Sequence, residues 1–316
     1  MARQRDSRAA SAEEDRFRAI FRRLHAGHAS CMGDEWLMQP CRGPDGVPLD
    51  RPWVWSRRNG PWRRVSLLWV GAAPGNAGGR GRGALGAHGT RIPFGGDVAG
   101  ANLEVLLGAI GVDRNDTFIV AALNRLPDRG GGEPTVAELR SPAGGYPDSI
   151  AVLRDTVVAC GPRLIVVLGN VAARVLAAAW LEPAAARALP ALARLERSGW
   201  SRGGAVRLER LGRPAAGLES AWQAAWRTDP FPTALRLTHP SAQNMSPWAG
   251  PATAFHRRML EARDDLRTAV RETLGLLPPA TRAPLPDRGI YALPEWRSLV
   301  TPRLDRMDRL WRERGV

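Results

Sequence analysis

Four short apolar runs, each breaking off at a glycine, an asparagine or a histidine, constrain the fold more than any other feature of this chain. They are VSLLWV from Val65, TFIVAAL before Asn124, RLIVVLG before Asn170 and TALRLT before His239. Each has the length of a strand rather than a helix and lacks polar alternation, as a strand covered on both faces must. Between and after them come VAGANLEVLLGAIG, SIAVLRDTVVACG, NVAARVLAAAWL and PATAFHRRMLEARDDLRTAVRETLGLL, all with helical spacing. Strand alternating with helix predicts an α/β fold, a three-layer αβα sandwich around a four-stranded parallel sheet with right-handed crossovers. Ligands of such sheets bind at the carboxyl ends of the strands. All the unusual loops of the chain fall there.

The regular pattern begins near Val65, so residues 1–62 read as an N-terminal extension with a short helix near Asp15 to His25. Residues 63–275 form the main domain, in which 181–232, rich in Ala, Arg and Pro, is long for one crossover and reads as an insertion. Residues 276–316 read as a proline-rich linker and an arginine-rich helical tail. The formal net charge of +14 and a sequence pI near 11.3 suit a polyanionic partner, because neutralising phosphates releases counterions. DNA is the leading partner class, although every basic side chain is arginine, which makes part of the surplus compositional. Twelve tryptophans, in phrases such as PWVWSRRNGPW, fit loop packing and partial core; stacking on bases is the other use.

Cys31, Cys41 and Cys160 form no CxxC pair and cannot supply a four-thiolate site, so no iron–sulfur cluster, metal or other cofactor is expected. A helix-end packing role suits Cys160. No apolar run reaches the roughly eighteen residues of a membrane span, and the N-terminus lacks the apolar core of a secretory signal. A cytoplasmic monomer without membrane association is the expectation.

The first loop, GAAPGNAGGRGRGALGAHGTRIPFGGD, spans Gly71 to Asp97 and contains a literal GxGxxG at Gly81, Gly83 and Gly86. A dinucleotide fingerprint needs those glycines directly between strand and helix, and here they lie well past the strand. A Walker A loop needs a lysine, and the chain has none. The glycines do permit close approach of backbone to a ligand or phosphate chain.

The order strand, G-x-A-P-G, P-F-x-G, helix resembles the uracil-DNA glycosylase superfamily. VAALNRLP resembles that family's base-reading asparagine strand, PRLIVVLGNVAARVL its segment before the following helix, and HPSAQN its final H-P-S motif. The likeness runs from Val65 to Asp264 with two insertions. FGGDVAGANL and HPSAQN look most like the family-five branch. The resemblance implies a monofunctional DNA glycosylase that flips a nucleotide out of DNA and hydrolyses its N-glycosidic bond.

It also implies roles for particular residues. Breaking that bond puts negative charge on the departing base, so donors should be aimed at it. His239 matches the histidine that donates to the pyrimidine O2; tying one loop to the next is its simpler role. Ser241, Gln243 and Asn244 would support the loop in the DNA groove. Asn124 would pair with the hydrogen-bonding edge of the base, its amide offering donors and an acceptor, or else cap a loop. Phe94 would stack on the extruded base, or pack in the core. The turn residues Ala73, Pro74, Gly75 and Gly78 would line the pocket.

Two departures stand out. Ala72 and Ala73 occupy the positions where glycosylases of this fold often carry a water-orienting carboxylate, an absence shared by the family-five branch. Asn76 and Asp97 are the alternatives for holding the water, and a helix N-cap is the competing role of Asp97. Where relatives wall off the pyrimidine C5 with a bulky residue, this chain reads AGGRGRG, which gives little steric means of refusing a substituent. Arg80, Arg82 and His88 in that loop could bond sugar hydroxyls or phosphates. A branch of the superfamily removes glucosylated hydroxymethylcytosine from viral DNA, and a 5-substituted cytosine of that kind ranks above uracil here. Without lysine there is no Schiff base, so the base is released and the strand left uncut. The rivals are a catalytically silent DNA-binding module and a nucleotide-binding enzyme built on the glycine-rich loop.

Overall fold

The computed structural model describes residues 12, 14–20, 22–24, 55–56, 64–73, 94, 98–123, 127, 133–181, 189–227, 229–241, 252–279, 282, 284–285, 291 and 294–313; at 55–56, 115, 252–256 and 295 it describes the backbone alone. The four apolar runs form parallel strands β2 (Leu67–Gly71), β3 (Phe118–Ala121), β4 (Leu164–Leu168) and β6 (Thr233–Leu237). Apart from Thr233, all their residues are buried, because helices cover both faces. Two short antiparallel edges, β1 (Trp55–Ser56) on β3 and β5 (Ala205–Arg207) on β6, complete the order β1-β3-β2-β4-β6-β5. The sheet is therefore mixed and six-stranded rather than purely parallel and four-stranded. The sequence pattern missed the edges because two or three residues are too few to show a period.

Residues 14–20 and 22–24 are helical, where the sequence predicts a short helix, and from the first central strand onward the α-helices are α1 (Val98–Ala109), α2 (Val136–Arg140), α3 (Ser149–Cys160), α4 (Asn170–Trp180), α5 (Leu192–Arg197), α6 (Leu218–Trp226), α7 (Ala252–Leu274) and α8 (Pro294–Glu313). Their ends follow local chemistry. Asp148 caps α3 by accepting from the Ala151 N–H, and Gly161 closes it in the left-handed conformation. Thr135 and Glu138 form a reciprocal capping box on α2. The buried Cys160 is the last residue of α3.

The crossover from β2 to β3 runs one way along the sheet, and those from β3 to β4 and β4 to β6 run the other way. With right-handed crossovers this reversal sends α1 to one face and α3 and α4 to the opposite one. Accordingly α1 packs with α7 and α8, and α3 with α4. The strand order switches direction between β2 and β4. β2 ends at Gly71 and Gly169 directly follows β4, and such a switch point is where open α/β sheets leave a crevice.

Chain on either side of this unit joins the same core. Phe17, Ile20 and Leu24 are buried in it, and the Phe17 ring stacks on Phe118 at 5.7 Å between centroids. Tyr291, Trp296, Val300, Leu304, Met307 and Trp311 are buried from the other end. The insertion contributes α5, β5 and α6, and Trp222 of α6 meets Trp180 edge-on at 6.3 Å. Among the described residues no helix is long and apolar enough to cross a membrane.

Candidate active site

Two rings meet at the switch point, where such sheets leave their crevice. Phe94 and His239 lie 5.8 Å apart between ring centroids, with their planes inclined by 39°. Each rests against a glycine at the end of a central strand. A Cβ on Gly71 would stand 2.8 Å from Cε2 and Cζ of Phe94, and a Cβ on Gly169 would stand 3.0 Å from Cβ of His239. Gly169 also has φ +89°, outside the range ordinary side chains favour, and its N–H donates to the Leu237 carbonyl at 2.9 Å. Both strand ends thus need a residue without a side chain for the rings to approach.

His239 lies two residues past the end of β6, after Thr238, and Pro240 fixes the chain after it. The Ser241 N–H donates to His239 Nδ1 at 3.2 Å. A ring nitrogen that accepts carries no hydrogen, so in the neutral imidazole the hydrogen is on Nε2, which is the donor. The loop is also held from the side. Asn102 of α1, 1 % exposed, donates through Nδ2 to the Pro240 carbonyl at 2.8 Å.

Phe94 is held by Gly100 in the first turn of α1 and by Arg114 beyond its far end. It lies in the left-handed region at φ 54°, where a bulky side chain is uncommon. Its carbonyl accepts from Nη2 of Arg114 at 3.0 Å and lies so close to Gly100 that a Cβ there would be 1.9 Å away. Arg114 in turn donates through Nε to Glu104 at 2.6 Å, and the Tyr291 hydroxyl donates to the other Glu104 oxygen at 2.8 Å. All three side chains are buried. Burial works against the Arg114 charge, but Glu104 and Tyr291 outweigh it and hold its pKa above the usual guanidinium value. Burial, reinforced by the negative charge of Glu104, pushes the Tyr291 hydroxyl far above its ordinary range.

Of the residues singled out from sequence, the structure brings His239, Phe94, Ala73 and Ser241 into this region, Ala73 at the mouth of β2. The β2–β3 ladder continues past the strands, with the Leu123 N–H donating to the Ala72 carbonyl at 2.9 Å. Asn124 comes next and lies outside the described residues, as do Pro74, Gly75, Asn76, Gly78, Arg80, Arg82, His88, Asp97, Gln243 and Asn244. Ala72 and Ala73 bring no carboxylate to the end of β2. Among the described residues no group of three or more His, Cys, Asp or Glu side chains is arranged to hold a metal.

Sequence reasoning passed over Asn102, Glu104, Arg114 and Tyr291. A signal for the first two was present. They are the polar residues of α1, VAGANLEVLLGA, which is otherwise apolar or glycine and is buried almost all round. Polar groups in such a helix need partners, but nothing local says which.

The family model described as the Uracil DNA glycosylase superfamily matches residues 59–267, which include all four parallel strands and both rings of the crevice. No curated protein matches the chain.

Proposed function

The chain belongs to the uracil DNA glycosylase superfamily, whose function is of the DNA glycosylase type, and on that premise we propose that it hydrolyses the N-glycosidic bond of a modified pyrimidine flipped out of DNA. The observation that carries this is the His239 geometry. Its Nδ1 is taken up by the Ser241 N–H, which leaves an N–H on Nε2 in a neutral ring beside the Phe94 face. A flipped pyrimidine stacked on Phe94 would bring its O2 to that donor. When the bond between the sugar C1′ and the base nitrogen breaks, the electron pair goes to the base and spreads onto O2. The Nε2–H hydrogen bond strengthens as that charge grows, so it stabilises the transition state more than the ground state. Water then adds to C1′, its proton is passed to the released base, and an abasic sugar remains. One such donor is worth about 100- to 1000-fold in rate.

Within this reading Asn124 pairs with the base edge, and Asn76 or Asp97 orients the water. Ala73, Pro74, Gly75 and Gly78 form the pocket wall; Gln243, Asn244, Arg80, Arg82 and His88 contact DNA. Lysine is absent, which supports release of the base without strand cleavage. The AGGRGRG stretch has no bulk to refuse a C5 substituent, which supports a 5-substituted cytosine such as the glucosylated hydroxymethylcytosine of phage DNA, and with it a role in defence against phage. Uracil is the alternative substrate. The lack of a carboxylate at Ala72 and Ala73 favours a second reading, a silent DNA-binding module.

The test is to incubate the protein with uracil-containing, hypoxanthine-containing and glucosylated phage DNA and to identify released base by mass spectrometry. Release from the glucosylated DNA, lost in His239→Ala and Asn124→Ala, is the expected result. Release of uracil alone would select the repair substrate. Retained DNA binding with no released base would leave the silent module.

A further inference from the structure

The superfamily match ends at residue 267, yet the chain beyond it reaches back to the residues that hold Phe94. Tyr291 hydrogen-bonds Glu104 across 187 residues of sequence, Glu104 grips Arg114, and Arg114 holds the carbonyl of Phe94. The same C-terminal segment also packs directly on α1. Trp296 of α8 lies against Gly100, where an added Cβ would be 2.8 Å from its ring, and it faces the Arg114 guanidinium at 5.9 Å. The Arg297 Nε donates to the Tyr291 carbonyl and so ties Tyr291 to the first turn of α8.

We infer that this C-terminal segment is a positioning element of the active site, with the relay Tyr291–Glu104–Arg114 fixing the left-handed turn that presents the Phe94 ring opposite His239. The physical reason lies in the turn itself. A phenylalanine at φ 54° is disfavoured by its own side chain and persists where surrounding contacts over-determine it. Arg114 supplies two directed N–H groups, one for Glu104 and one for Phe94. It can serve both when its fork is oriented, and Glu104 is oriented only while its second oxygen is also engaged by Tyr291. The three groups are one switch-like unit: releasing the hydroxyl at the far end frees the carboxylate to rotate, then the guanidinium, then the carbonyl behind the ring. Because these side chains do not reach the crevice themselves, they act through Phe94 and are positioning residues rather than catalytic ones.

This inference rests on the function proposed above for what the ring does, so its test needs a readout that does not depend on activity. The full-length chain is produced with fluorophenylalanine at its six phenylalanines, and the Phe94 resonance is assigned by its loss in Phe94→Leu. Tyr291→Phe, which removes only the hydroxyl, and Arg114→Lys, which keeps charge but loses the fork, are compared with wild type. For each, the fluorine spectrum, the melting temperature and single-turnover excision from the preferred duplex are measured. The expected result is a shifted or split Phe94 resonance in both variants. Excision falls about ten-fold with the KM for DNA changed less than about two-fold, since misplacement of a positioned group affects the chemical step. A purely structural role would lower the melting temperature while leaving the Phe94 resonance and the rate of the folded protein at wild-type values; that result overturns the inference. So does a displaced resonance with undiminished excision. Should wild type release no base from any DNA, the proposed function fails, whereas a displaced Phe94 resonance in Tyr291→Phe still upholds the relay.

Discussion

Adding one methyl group at Gly71 separates a ring that positions substrate from a ring that merely fills the core. Gly71 ends β2 in ordinary strand conformation, so alanine is acceptable to the backbone and any effect must come from what the methyl meets. It meets Cε2 and Cζ of Phe94 at 2.8 Å. Carbon atoms rest at about 3.5–4.0 Å, so the ring must retreat by roughly 1 Å. It cannot do so by swinging its backbone, which Arg114 and Gly100 hold, and must turn about its own side-chain bonds. Overpacking of this kind costs about 1–3 kcal/mol of stability, whereas a misplacement of about 1 Å in a positioning group can cost on the order of 100-fold in rate. Gly71→Ala should therefore stay folded, melt a few degrees lower and excise base about 10- to 100-fold more slowly. Single-turnover excision under saturating enzyme, beside a thermal melt, reads both. Gly199→Ala is the control, because Gly199 has φ +85° with nothing within 4 Å, so it pays backbone strain without touching the crevice. Equal small losses of stability in the two variants with excision unchanged would show that Phe94 is core packing and refute the reasoning.

Asn102→Ala removes the donor to the Pro240 carbonyl in a buried setting; a loss of about 1–3 kcal/mol in denaturant unfolding is expected, with slower excision because the His239 loop is freed, and wild-type excision would mean that Pro240 alone holds the loop. The chain has two tyrosines, and burial first, then nearby Asp155 or Glu104, raises both Tyr146 and Tyr291 far above their ordinary pKa. A raised tyrosine pKa contributes stability that is complete below the unfolded value of about 10 and lost as pH rises beyond it. Tyrosinate absorbance should accordingly stay silent until the protein unfolds in alkali and then appear in step with loss of circular dichroism; ionisation near pH 10 in folded protein would contradict the burial of both. Asp265 is half-buried, and burial, then Asp264 and Glu261, raise its pKa. Its stability contribution is therefore complete below the unfolded value of about 4 and is lost as pH rises through the higher folded pKa. Asp265→Asn should raise the melting temperature at pH 7 by about 1–2 °C and lose that advantage below about pH 4, where wild type is protonated too; a gain that persists in acid would assign the effect to something other than charge.

Much of this protein was legible in its sequence because the features concerned are local. The four central strands read directly from apolar runs such as LIVVL, since a strand covered on both faces must be apolar throughout. The helical segment SIAVLRDTVVACG likewise read from its spacing, and the structure ends it with local contacts, Asp148 and Gly161 acting on backbone a few positions away. His239 and Phe94 were legible for a related reason: each sits in a loop at a strand end, and a family pattern named it. The edge strands were not legible, for Ala205–Arg207 is a strand because Thr233–Leu235 lies beside it.

The sequence alone determined the parallel centre of the sheet and the residue types offered at the carboxyl ends of its strands, whereas the strand order that puts the switch point between β2 and β4 came from the structure. Tertiary structure alone decided how those residues are aimed. Asn102 finds its acceptor 138 residues away at Pro240, and Glu104 finds the Tyr291 hydroxyl 187 residues away. A buried polar group must be partnered, and its own sequence states that demand; which distant group meets it depends on packing that no periodicity encodes.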